Sequence, residues 1–372
     1  MGGTLNADRG GSATGGPLRI GIVGVGNISA QYFAELPRHA GVQIVAVADV
    51  DQGRADAVAT ERGVRSLTVD ALLADPGVDL VLNLTIPAAH AEIARRALEA
   101  GKHVYGEKPL ALTPEQAQPV LQLARDRGRR VGCAPDTVLG TGVQSARRAL
   151  DDGRVGSPVA ASVHWSAPGH ELWHPSPAFY YQPGGGPLFD MGPYYLTSLV
   201  TLFGPVTRVS GTVRRSNRQR TVATGALAGE PVPVDVDTHI TALLEHASGV
   251  TATVTMSFEV WATRAPLFEV YGTEGTIAVP DPNHFSQTGE VWTPESRQWM
   301  PLVDAAGFRD GGRGIGIVDL AEAIDEGRPH RASGELAFHV LEVMDAILRA
   351  GAEHAVVDIA STVERPDAVA LR

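Results

Sequence analysis

Between Gly169 and Pro175 the chain reads HELWH, which places His170, Glu171 and His174 in the spacing H-E-x-x-H. That pattern lets two imidazoles and a general-base carboxylate share one helical face around zinc. The chemistry needs histidines at i and i+4 of an unbroken helix, because only the 3.6-residue turn aims both rings at one metal. Here Pro168-Gly169 stand in front, and Pro175 and Pro177 follow. Proline at 175 drives His174 out of the α region. No apolar 3.6 period surrounds the stretch and no obvious third ligand lies nearby, so it reads as a loop without a metal.

A second group of residues can do different chemistry. The apolar run LRIGIVG (18–24) leads into Gly24-Val25-Gly26-Asn27-Ile28-Ser29. Gly24 permits a tight turn, and Gly26 lets the backbone approach a pyrophosphate at a helix N-terminus. Ser29 stands where a third glycine is usual, a departure expected to loosen helix–strand packing. Twenty residues beyond Ser29, Asp49 ends the next apolar run. Its carboxylate suits the adenosine ribose hydroxyls and repels a 2′-phosphate, which predicts NAD in preference to NADP; Arg54 nearby keeps NADP possible. Glu107-Lys108-Pro109 stands at the end of the strand-like run 102–107. An ammonium there would sit at the mouth of a cofactor crevice and polarise a reacting hydroxyl.

The elements that position these groups differ between two parts of the chain. From Leu18 to about Asp136, apolar runs at 18–24, 42–49, 78–85, 102–107 and 129–135 alternate with helix-like segments such as 88–101, where Ile93, Ala97 and Leu98 recur on one face. Strands apolar throughout and separated by helices predict a doubly wound parallel sheet. Past Val138, TATVTMSFEV (251–260) alternates Ala252, Val254, Met256, Phe258 and Val260 against a Thr-rich face. Runs at 208–216, 236–246 and 266–280 join it, and 333–351 reads as an amphipathic closing helix. Period-2 alternation predicts a mostly antiparallel open sheet packed on one face, hence an α+β second domain. The expected divisions are a disordered tail over 1–17, a Rossmann domain over 18–137, and a substrate-binding and oligomerisation domain over 138–372.

Composition narrows the function classes. The 372 residues are 44% hydrophobic and 20% charged, with net charge −11, which disfavours nucleic acid and anionic membrane as partners. One cysteine, Cys133, excludes an internal disulfide or a cysteine zinc site. The Gly-rich first seventeen residues lack the apolar core of a signal peptide, and no apolar run reaches the roughly 18 residues of a membrane span. A cytoplasmic protein is expected.

The Gly24-x-Gly26 turn, the run Leu84-Thr85-Ile86-Pro87-Ala88-Ala89-His90, the stretch Ala100-Gly101-Lys102-His103-Val104-Tyr105 and Glu107-Lys108-Pro109 occur in the order and spacing of one family. The chain resembles the glucose–fructose oxidoreductase/inositol dehydrogenase (Gfo/Idh/MocA) family from about residue 18 to 360. That resemblance implies a Rossmann domain followed by an α/β domain with a large open sheet. It also implies cofactor contacts from Gly24, Gly26, Asn27, Ile28, Asp49, Thr85, Pro87, His90, Glu107 and Lys108. The family further carries a Gly-rich run, an Asp and, four positions on, an acid/base His. Here Gly184-Gly185-Gly186 lead to Asp190, and Tyr194 occupies the histidine position. Tyrosine needs a cation nearby to act as a base at neutral pH, and Lys108 is the candidate. With Pro193 read into a first helical turn, Asp190 would lie at or near the N-cap.

The resemblance thus implies hydride transfer between nicotinamide C4 and a secondary alcohol or ketone of a sugar, glycoside or cyclitol. Tyr194 would be the acid/base, Lys108 its helper, and Asp190 would orient a second hydroxyl. The aromatic stretch WHPSPAFYYQPGGG suits the apolar faces of sugars, with Trp173 or His174 touching substrate and Arg313 a further candidate. Two alternatives stay open: a redox-neutral glycoside-cleaving or sugar-modifying enzyme that retains its cofactor, and a non-catalytic dinucleotide or sugar sensor. The Thr-faced sheet would pair subunits into a homodimer or homotetramer.

Overall fold

Short runs of branched apolar residues build the first sheet. Its strands are β1 (Leu18–Val23), β2 (Val42–Ala48), β3 (Arg65–Ser66), β4 (Leu80–Asn83), β5 (His103–Gly106) and β6 (Val131–Cys133). In the computed structural model, which describes residues 16–216 and 218–372, they pair in the order β3-β2-β1-β4-β5-β6, every pair parallel. Ile20, Ile22, Leu80 and Leu82 are fully buried, as strands covered on both faces must be. Helices α1 (Ser29–Glu35), α2 (Gln52–Arg62), α3 (Val69–Ala74) and α4 (His90–Glu99) follow successive strands, and α5 (Pro114–Asp126) precedes β6. The tail expected over 1–17 lies, apart from Gly16 and Pro17, outside the described residues.

The order reverses between β1 and β4, the switch point where open α/β sheets bind ligands at their strand ends. Gly24 follows β1, Asp49 follows β2 and Glu107 follows β5, so three of the predicted cofactor positions come directly from these ends.

The second sheet has nine strands. Helix α6 (Thr141–Asp151) leads into β7 (Pro158–Ser166), and helix α7 (Gly186–Phe203) into β8 (Val206–Arg214). A short pair, β9 (Arg220–Thr221) and β10 (Pro231–Val232), stands apart from the large sheet. The strands β11 (His239–His246), β12 (Thr251–Ser257), β13 (Phe268–Gly272), β14 (Thr276–Ala278), β15 (Glu290–Trp292), β16 (Trp299–Pro301) and β17 (Val357–Asp358) complete the set, with α8 (Ile315–Glu326) and α9 (Gly334–Glu353) before the last. The order is β16-β15-β14-β13-β7-β12-β11-β8-β17. Among the described residues of this sheet only β7 and β12 run parallel. As the alternation predicts, Ala252, Val254, Met256 and Phe258 are buried, while Thr251 and Thr253 are exposed.

By internal contacts the chain divides into two discontinuous units. The first comprises the described chain up to Glu107 together with Gln118–Ala134 and Gly312–Gly334. The second comprises Lys108–Ala117, Pro135–Gly311 and Glu335–Arg372.

One local expectation is corrected. Helix α7 begins at Gly186, with Pro187 in its first turn and Pro193 in its interior. Asp190 is therefore a second-turn residue and not the cap; the N-cap is Gly185, which makes no side-chain capping bond. The glycine run and Pro187 start the helix, and Pro193 merely interrupts its hydrogen-bond ladder.

Candidate active site

In the first unit, the turn after β1 is shaped by two glycines with different reasons to be glycine. Gly24 has φ of +93°, and a Cβ there would lie 2.7 Å from the backbone carbon and oxygen of Leu84. A Cβ on Gly26 would meet no protein atom within 4 Å. Space beside a backbone at a helix start is what a dinucleotide pyrophosphate requires, so these residues fit that cofactor. Ser29 is buried, and its hydroxyl donates to the Gly26 carbonyl at 2.7 Å.

Asp49 is also buried. The Val25 N–H donates to its Oδ2 at 2.9 Å, and the Asp51 N–H donates to Oδ1 at 3.0 Å. Arg54 approaches Oδ2 at 3.7 Å. The carboxylate thus braces the glycine turn, and each oxygen retains acceptor capacity for a ribose hydroxyl. Beyond β4, Asn83 organises the loop carrying Thr85, Pro87 and His90. Its amide donates to the His90 carbonyl at 3.0 Å, its Oδ1 accepts from the Thr85 hydroxyl at 2.6 Å, and His90 Nε2 lies 3.0 Å from the Thr85 carbonyl. At the end of β5, Glu107 accepts a 2.8 Å bond from the Tyr32 hydroxyl of α1.

The second unit gathers a different set. Lys108 Nζ donates to Asp190 Oδ1 at 3.0 Å and to the Asp190 main-chain carbonyl at 2.5 Å. Pro193 lacks an N–H, so it leaves the Phe189 carbonyl without its helical partner. His170 Nε2 lies 2.8 Å from Asp190 Oδ2. Asp190 and Tyr194, at i and i+4 of α7, share a helical face, and Lys108 Nζ stands 5.3 Å from the centre of the Tyr194 ring.

Burial pushes the Asp190 carboxyl up, but the Lys108 charge and the His170 hydrogen bond outweigh it and hold the group at about 2. Burial, then the Asp190 charge, push the Tyr180 phenol up to about 12, so it stays protonated. The unit therefore presents a permanent anion and two tyrosines beside one ammonium, an arrangement able to bind polyol hydroxyls and move a proton.

HELWH holds the loop over this cluster. His170–Leu172 form a single 3-10 turn rather than a helix. Glu171 turns inward, where Arg220 donates to its Oε1 at 2.9 Å and the Tyr181 hydroxyl bonds its Oε2. Gly169, at φ +123°, is pressed against that pair, and a Cβ there would collide with both Arg220 and Glu171. His170 packs against Tyr180 with ring centres 4.5 Å apart and against Phe258 at 4.5 Å. Trp173 and Phe179 remain more than half exposed.

Residues 18–134 match the model of an oxidoreductase family with an NAD-binding Rossmann fold, and residues 143–278 match the GFO/IDH/MocA C-terminal domain. The chain belongs to the Gfo/Idh/MocA family. An inositol 2-dehydrogenase of Rhizobium meliloti (strain 1021) is 26% identical over 352 residues, 92% of this chain and 99% of that protein. A 1,5-anhydro-D-fructose reductase of Ensifer adhaerens is 35% identical over 147 residues, 39% of this chain and only 44% of that protein. Among solved structures, a levoglucosan dehydrogenase in complex with NADH and L-sorbose matches with a TM-score of 0.80 at 23% identity, over 92% of this chain and 99% of that one. At that identity the likeness speaks for the fold alone. This Gfo/Idh/MocA chain is an NAD(P)-binding oxidoreductase related to an inositol 2-dehydrogenase and to a 1,5-anhydro-D-fructose reductase. Among its described residues no helix is long and apolar enough to cross a membrane.

Of the predicted site residues in this family member, Lys108, Asp190 and Tyr194 come together. Trp173 and His174 join them through rings, His174 lying 5.4 Å from both Trp173 and Tyr180. Arg313 belongs instead to a segment of the first unit, where its Nε donates to Gln31 at 3.0 Å. Three residues escaped sequence reasoning. Asn83 was discoverable as a polar residue closing an apolar strand. Tyr32 carried no local signal, and His170 was read only as a possible zinc ligand.

Proposed function

We propose that the protein transfers hydride between a nicotinamide dinucleotide, NAD in preference to NADP, and a secondary alcohol or ketone of a sugar, glycoside or cyclitol. The observation that carries this is the Lys108–Asp190–Tyr194 cluster on and beside α7, in a chain whose other unit bears the Gly24, Gly26 and Asp49 cradle. When bound, the nicotinamide supplies the two-electron acceptor. Tyr194 removes the substrate hydroxyl proton, and Lys108 hydrogen-bonds the same oxygen and favours its anionic form. Asp190, ionised at every working pH, accepts a hydrogen bond from a second hydroxyl and fixes the ring. Gly24, Gly26, Asn27, Ile28, Asp49, Thr85, Pro87, His90 and Glu107 are assigned to the dinucleotide. Trp173 and His174 are assigned to the substrate's apolar face. Arg313, engaged with Gln31, is assigned no substrate contact. Pairing of subunits through the Thr-bearing face of the nine-stranded sheet belongs to the same reading.

The test is absorbance at 340 nm with NAD or NADP and a panel of sugars, glycosides and inositols, run after retained cofactor is removed. Tyr194→Phe should lower turnover about 10²- to 10⁴-fold, with dinucleotide affinity within about threefold of the parent. Bound cofactor with no chemistry on any substrate would overturn the reading.

A further inference from the structure

The Trp173 indole Nε1–H donates to His170 Nδ1 at 3.2 Å. An indole nitrogen can only donate, so Nδ1 must offer its lone pair, and the single proton of a neutral imidazole must sit on Nε2. That is the nitrogen 2.8 Å from Asp190 Oδ2. The ring is buried and wedged among Trp165, Trp173, Tyr180 and Phe258, so it cannot turn over without repacking all four. The charged or titratable groups around it are Asp190, Lys108, His174 and Tyr180.

We propose that His170 is a positioning residue, held by Trp173 as its Nε2–H tautomer so that it clamps the Asp190 carboxylate against Lys108. The two carboxylate oxygens then receive donors from two different segments, Oδ1 from Lys108 and Oδ2 from His170. Two donors on opposite oxygens fix the carboxylate plane, where Lys108 alone would leave it free to swing. His170 does not shuttle protons: accepting one at Nδ1 breaks the Trp173 bond, and releasing one from Nε2 makes an imidazolate beside a carboxylate. Its effect on turnover rests on the dehydrogenase reading above, since a fixed acceptor matters by holding the substrate in a reactive pose. The tautomer itself does not rest on that reading.

The experiment uses the full chain labelled with ¹⁵N-histidine, read by long-range ¹H–¹⁵N correlation at pH 8, above the ordinary histidine range. The His170 signals are assigned by their loss in His170→Gln. A protonated Nε2 with an unprotonated Nδ1, giving way to mixed tautomers in Trp173→Phe, is the expected result. An Nδ1–H tautomer in the parent protein would overturn the proposal. In kinetics, His170→Gln, which restores an N–H donor, should keep turnover within about fivefold, while the ring-shaped His170→Phe should lose about 10²-fold with dinucleotide affinity unchanged. Equal turnover in parent and His170→Phe would also overturn it. If no substrate is ever turned over, the function proposed above fails, and the tautomer still decides this one.

Discussion

Asp190 and His170, 20 residues apart in the chain, share a 2.8 Å hydrogen bond, while Lys108 holds the other carboxylate oxygen at 3.0 Å. Because both partners are donors, the pair defends the anion: protonating Asp190 would cost it at least one of the two bonds.

Asp190 should therefore leave no mark on the pH profile. With its folded value held at about 2, below the usual carboxylate value of about 3.9, it is ionised throughout the range in which enzymes are assayed. Its contribution to stability is present above the unfolded value and disappears only as pH falls through about 2. Asp190→Asn should lower kcat/KM roughly 10²-fold, in parallel at every pH from about 5 to 9. A limb of the parent profile that vanishes in the variant would show that Asp190 titrates after all.

The two glycines of the first turn should separate folding from binding. Gly24→Ala places a Cβ 2.7 Å from the Leu84 backbone at φ +93°, and should destabilise the fold by about 2–4 kcal/mol. Gly26→Ala meets no protein atom within 4 Å. It should leave stability within about 0.5 kcal/mol yet weaken dinucleotide binding at least tenfold. Chemical denaturation and dinucleotide titration, run side by side, check both; unimpaired binding in Gly26→Ala would refute the pyrophosphate assignment.

Cofactor choice should respond to Asp49. Replacing it with serine removes the charge that disfavours a 2′-phosphate and releases Arg54, now 3.7 Å from the carboxylate, to meet one. Asp49→Ser should raise the NADP-to-NAD ratio of kcat/KM by about 10². An unchanged ratio would remove Asp49 from the ribose site.

Two buried histidines should make the fold acid-sensitive. His103 Nδ1 accepts the Arg130 N–H at 3.0 Å, and His339 Nε2 accepts the Val206 N–H at 3.0 Å. Each needs its lone pair. Burial depresses both to about 4, so the neutral form stabilises the fold fully above the unfolded value near 6.5. As pH falls from there toward about 4, each histidine forfeits about 1.4 kcal/mol for every drop of one in pH. Urea midpoints should drop between pH 7 and 4.5, and His339→Gln should show a shallower fall than the parent.

Where sequence and structure agree, the information was local. Gly24, Gly26 and Asp49 announce themselves through strand–turn–helix spacing, and the β12 face through its period of two. Asp190 and Tyr194 were singled out together through the family resemblance, and they lie at i and i+4 of α7. The misjudged cap at Asp190 came from weighing Pro193 over Pro187, which actually occupies the first turn. His170 was hidden for a deeper reason. Its partner lies on another element, and its neighbours spell a zinc motif whose glutamate turns out to be packed against a buried arginine. The parallel pairing of β7 with β12 was equally invisible, since no pattern inside a strand names the strand beside it.

Lys108 grips Asp190 twice, once by its carboxylate and once by its main-chain carbonyl. The second grip belongs to the polypeptide itself and is blind to whatever side chain occupies position 190. A scan of substitutions there measures the carboxylate alone, because the ammonium remains tethered in every variant. The lysine's anchorage is written into the helix backbone, and it would surface only in a variant that replaces the peptide linkage after Asp190 with an ester.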